Sequence, residues 1–140
     1  VTEPNAVPPP AGEVATWVGL EVDEVSGGRV GRAAGVFLDA ESGVPAWLVV
    51  GLERRGFLGR RRRGPAVAVP VRECAAAAGR VWTALDGVKL RSAPVVDPAR
   101  PLLGQHEVTI CGHYGIGQAD GRHAEIASRP QGTVTAGPPN

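Results

Sequence analysis

The chain predicts an all-β fold: a small, mostly antiparallel β-barrel of about five to six strands, with one or two short helices and a C-terminal extension. Three observations carry that expectation. Leu20 and Val22 alternate with Glu21 and Asp23, the period of two expected of a half-buried strand. Ser26-Gly27-Gly28 and Glu41-Ser42-Gly43 supply turn chemistry on either side of a second alternating run, in which Val30, Ala34, Val36 and Leu38 fall on one face and Gly31, Ala33, Gly35 and Phe37 on the other. Residues 46–50, Ala-Trp-Leu-Val-Val, are apolar on both faces and read as the buried central strand, opened by Pro45, where a missing N–H is tolerated.

The remaining elements follow in order. Residues 1–15 form a proline-rich tail, whose composition favours extended structure over packing. Trp17 covers one end of the barrel, which occupies residues 16–93. A glycine-punctuated loop holds Arg54, Arg55, Arg60, Arg61, Arg62 and Arg63, with Phe57-Leu58 tucked against the barrel mouth. Residues 66–71 make a fourth strand, ended by Pro70. Four alanines at 75–78 read as a helical turn stopped by Gly79. Residues 81–85 are a fifth strand, and Asp86 starts a turn or a single helical turn through Leu90. Residues 94–116 are the extension, within which Leu103, Glu107, Ile110 and Tyr114 recur at helical spacing. Residues 117–140, polar and rich in glycine, are expected to be a flexible tail.

Composition narrows the function classes. Fifteen Lys and Arg against fourteen Asp and Glu leave a net charge of +1, so there is no global electrostatic case for nucleic acid or membrane. Lys89 is the only lysine, an excess of arginine that fits a GC-rich coding bias. No apolar run approaches the ~20 residues a membrane span needs, and no signal peptide is visible. A soluble, cytoplasmic protein is expected. Cys74 and Cys111 are far apart in sequence, and two such cysteines do not establish a disulfide.

No catalytic constellation stands out. Gly59-x-x-x-x-Gly64 imitates the start of a phosphate-binding loop, but Pro65-Ala66 occupy the places of Lys and Ser/Thr. His106, Cys111 and His113 lack the spacing of recurrent zinc sites. Asp23, Glu24, Asp39 and Glu41 border turns and read as solvated strand ends rather than an acid–base pair. Gly115-x-Gly117-x-x-x-Gly121 misses dinucleotide spacing, and no G-x-S-x-G is present. No catalytic residue, cofactor or metal is therefore expected. The six arginines are the candidate contact site, because guanidinium forks suit phosphates and acidic protein faces alike, although one nearby aromatic, Phe57, offers little for base stacking.

The chain resembles the PRC-barrel family, the small β-barrel of the photosynthetic reaction-centre H subunit and of the C-terminal half of the bacterial ribosome maturation factor. The resemblance is carried by Gly28-x-x-Gly31-Arg32, Val36-Phe37-Leu38-Asp39-x-x-Ser42-Gly43, Trp47-Leu48-Val49-Val50, Val67-Ala68-Val69-Pro70 and Leu90-Arg91-Ser92-Ala93-Pro94. Pro101-Leu102, His106-Glu107 and His113-Tyr114-Gly115 look like the extension of stand-alone, actinobacterial-type members. The match covers residues 18–116. The membrane helix of the H subunit and the additional barrel of the maturation factor have no counterpart here, so neither specialised role carries over. The resemblance implies a non-enzymatic adaptor that docks on an unidentified protein and forms a homodimer or larger. The alternative is an RNA- or ribosome-associated module that binds phosphates through the arginine loop.

Overall fold

The computed structural model describes residues 9–55 and 61–116, with 54, 55 and 61–63 described by their backbone. Six strands form one sheet: β1 (Glu21–Glu24), β2 (Arg29–Leu38), β3 (Pro45–Arg55), β4 (Arg61–Pro70), β5 (Cys74–Ala77) and β6 (Arg80–Thr83). Their order is β4-β3-β2-β1-β6-β5; all neighbours are antiparallel except β1 and β6, which run parallel. Among the described residues the fold is thus mostly β, with three short α-helices: α1 (Ala11–Ala15), α2 (Gly87–Arg91) and α3 (Gly104–Tyr114). No helix among the described residues is long and apolar enough to cross a membrane.

The two meander turns form where their chemistry predicts. Gly27 sits at φ 109°, and Glu24 N–H donates to the Gly28 carbonyl at 2.8 Å, closing the first. In the second, the Asp39 carboxylate accepts from the amides of Glu41 and Ser42 at 2.8 and 3.1 Å, and Gly43 takes φ 73°. Residues 47–50 of β3 are buried on both faces, as a central strand should be. In β2 the inward face is the one with Ala33, Gly35 and Phe37; Ala34, Val36 and Leu38 are half-buried, and a register shift between Ala33 and Gly35 separates them from fully buried Val30. Gly31 is obligatory: a Cβ there would run into the Gly51 carbonyl of the neighbouring strand.

Three expectations need correction. Residues 74–77 are a strand, not a helical turn. Four residues cannot sustain a helix alone, whereas pairing Cys74–Ala77 with β6 satisfies their amides and buries Cys74 against the sheet. Ala78 and Gly79, at φ 56° and 75°, turn this hairpin as a type I′ loop requires. Next, α1 lies inside the stretch expected to be an extended tail. Val14 and Trp17 are 0 and 2 % exposed and join the core beside β2, anchored by the Gly19 amide on the Ala33 carbonyl at 2.8 Å. Finally, the sheet is not closed by hydrogen bonds into a barrel.

The reason for the open seam is visible at the β4 edge. Val67 forms an antiparallel bridge with Val95, the Val96 amide donates to the Ala66 carbonyl at 2.9 Å, and the Tyr114 hydroxyl donates to the Ala68 carbonyl at 2.7 Å. These contacts take up edge positions that pairing with a closing strand would need. The sheet is nevertheless curled. β4 and β5 are its two edges, yet only a 3-10 turn, Val71–Glu73, joins them. Four Cα steps reach at most about 14 Å, so the edges converge at that end, where Cys74 Sγ contacts the Pro70 carbonyl at 3.6 Å.

Candidate functional site

Three features of the described residues gather functional side chains. The first is a charge cluster on the β1-β2-β6 surface. Glu21 accepts from Arg80 Nη1 at 2.7 Å and from Arg29 Nη2 at 3.1 Å, with Arg32 at 3.6 Å. Arg80 also reaches Asp23 at 3.1 Å, and Arg29 reaches Glu53 at 3.2 Å. Partial burial alone would raise the Glu21 carboxyl, but the three guanidiniums outweigh it and hold the pKa below its ordinary value. Glu21 therefore stays ionised and accepts hydrogen bonds; it is not poised to donate a proton. The cluster ties four strands together. Of the four carboxylates considered as turn borders, Asp23 is thus drawn into this network and Asp39 caps its own turn, while Ser26 donates to Glu24 at 2.8 Å.

The second feature is a cleft of about 280 Å³ between the segment after α2 and helix α3. Phe37 and Ile110 lie at its base, with Val95, Leu102, His106 and Arg100 around it. Val95, which lines the cleft, is 66 % exposed, and Leu103, next in the chain to lining residue Leu102, is 52 % exposed. α3 is held in place by Glu107, whose carboxylate accepts from buried Trp47 Nε1 at 2.8 Å, and by Tyr114 on the β4 edge. Leu103 shares helical spacing with Glu107, Ile110 and Tyr114, but those three are buried and Leu103 is exposed. Pro94 and Pro101 flank the cleft, and its composition was legible, but its assembly from β2, the extension and α3 was not.

The third is the arginine segment. Five of its six arginines are not in a loop: Arg54 and Arg55 end β3, and Arg61–Arg63 begin β4, with Arg54 paired to Arg62 and Arg55 to Arg61. Arg60, Phe57 and Leu58 lie outside the described residues. The strands extend because backbone pairing continues past the point where β2 leaves β3.

His106 and His113 do not converge with Cys111 on a metal position, and no group of three potential ligands gathers among the described residues. His113 Nε2 instead meets the Lys89 carbonyl at 2.8 Å, tying α3 to α2. Cys74 and Cys111 are free and buried. Burial pushes the Cys74 thiol up to about 12, against a Thr83 hydrogen bond that lowers it, and burial raises Cys111 as well. Neither is an activated nucleophile. No family model matches the chain, and no curated protein matches it.

Proposed function

We propose that this chain is a non-enzymatic adaptor of the PRC-barrel type that acts in the cytoplasm through protein–protein contact and self-associates. The observation that carries the reading is the cleft beside α3: a mostly apolar depression whose lining leaves Val95 more than half exposed, with Leu103, next in the chain to lining residue Leu102, exposed as well. The curled sheet, with the extension laid along one edge, supports the family reading. Two buried free thiols fit a reducing compartment. The polar groups gathered on the sheet surface are bound to one another as a structural network, which favours binding over turnover as the work of the fold.

The test is sedimentation equilibrium over the micromolar range on the wild type and on Val95→Glu/Leu103→Glu. A concentration-dependent dimer that the double variant abolishes, with its circular dichroism unchanged, supports the reading. A wild type that stays monomeric throughout removes self-association. A dimer untouched by the substitutions moves the interface away from the cleft.

A further inference from the structure

The paired arginines reach beyond an adaptor role. The register of β3 with β2 ends at Gly31 opposite Leu52; from Glu53 to Arg55 the described partner of β3 is β4. The two strands leave the sheet as a ribbon. Arg54 stands opposite Arg62 and Arg55 opposite Arg61, at adjacent register positions, and adjacent positions of a strand belong to opposite faces. Arg63 is opposite Glu53, whose carboxylate also binds Arg29. Like charges directly opposite each other destabilise a sheet.

The charge of the whole chain is partitioned in the same sense. Residues 54–63 hold six of the fifteen basic residues and none of the fourteen acidic ones, so the remainder carries nine basic against fourteen acidic. The near-neutral total thus divides, along the sequence, into a cationic segment and a remainder with an acidic excess. This segregation of charge along the sequence favours meeting a polyanion through the arginine segment.

We infer that the β3–β4 ribbon binds duplex nucleic acid by its phosphates. A two-stranded β-ribbon fits the groove of a duplex, and phosphate strands on either side match cations on both of its faces. Guanidiniums take phosphate oxygens in pairs. An acidic protein surface would satisfy one face at a time. The contact is to the backbone and carries little sequence preference.

The experiment is fluorescence anisotropy of the full chain with a short DNA duplex, an RNA duplex and a single strand of the same sequence over a salt series, with polyglutamate as competitor. Duplex binding is expected with a log–log salt slope of about −4, for four to five phosphates neutralised. Arg54→Gln/Arg62→Gln should flatten that slope by about two and weaken low-salt binding about tenfold or more. Lysine at the same two positions should restore most of it, and Lys89→Gln should change nothing. The preferred duplex identifies the source, DNA or RNA. Wild type and ribbon variant binding alike, no binding at low salt, equal affinity for the single strand, or polyglutamate competing as well as duplex would each overturn the inference. Circular dichroism and the dimer test keep a misfolded variant, or a failure of the adaptor reading, distinct from these outcomes.

Discussion

Trp47 and Glu107 stand sixty residues apart in the chain and are joined by an indole-to-carboxylate hydrogen bond of 2.8 Å in a buried setting. Glu107 is only 7 % exposed, and Trp47 4 %. The bond crosses from the central strand to the helix of the extension, so it fixes α3 on the sheet. Hydrogen bonds to a charged group contribute about 1.5–3 kcal/mol, and losing one partner strands the other. Glu107→Leu is therefore expected to lower urea stability by about 2 kcal/mol, with Glu107→Gln, which keeps an acceptor, losing less. Equal stability of Glu107→Leu and wild type would remove the bond from the account of how α3 is held.

The β5–β6 hairpin offers a gain in stability. Its turn places Ala78 at φ 56°, a conformation in which the Cβ is crowded, next to Gly79 at φ 75°. Glycine or asparagine relieves that strain. Ala78→Gly should stabilise the protein by about 0.5–1 kcal/mol, less whatever the added freedom of the unfolded chain removes, and Ala78→Asn by a similar amount. Gly79→Val should destabilise it by more. Thermal melts of the three variants decide the matter; a lower melting temperature for both Ala78 variants would contradict the type I′ assignment.

That hairpin also shows where the sequence was silent. Four alanines before a glycine carry a local preference for helix, and nothing local reveals that β6 lies alongside to take them as a strand. Val81 and Thr83 are buried in β6, and pairing to it outweighs alanine's propensity. The meander from Leu20 to Val50 was legible because alternation and turn chemistry act over neighbouring residues. The parallel pairing of β1 with β6, the convergence of the two sheet edges and the cleft at Phe37 and Ile110 all depend on contacts between distant segments. Hydropathy along the chain does not encode those. The arginine positions were visible as candidates, but their cross-strand pairing required the register of β3 on β4.

Acid should weaken the fold through Glu21. Its folded pKa lies below the ordinary carboxylate value, so in the unfolded chain it binds a proton more readily than in the native state. The stabilisation is present above the unfolded pKa and fades as pH falls through the carboxylate range toward the lower folded value. Glu21→Gln should be less stable than wild type at neutral pH and should lose less on acidification, so the two urea midpoints converge with falling pH. Parallel curves would mean that Arg29, Arg80 and Arg32 give Glu21 no net preference for its charged form.

Alkali should act through Cys74. Its thiol is held neutral in the fold, with a pKa pushed up to about 12 by burial, whereas an unfolded cysteine titrates near 8.5. The sign is opposite to that of Glu21 in proton terms: the folded state binds the proton more tightly, so its stability is intact below about pH 8.5 and falls as pH rises toward 12, on the order of 1 kcal/mol per pH unit. Tyr114, whose phenol is raised by burial and by the neighbouring Cys74, adds to the loss at higher pH. Cys74→Ala should flatten the decline between about pH 8.5 and 11. In the native wild type, Cys74 should resist alkylation at pH 8 and react only after urea unfolds the chain, read by mass spectrometry of the alkylated peptide. Rapid native labelling of Cys74 would mean that the seam between the converging sheet edges opens readily, and that the thiol does not report a closed core at that end.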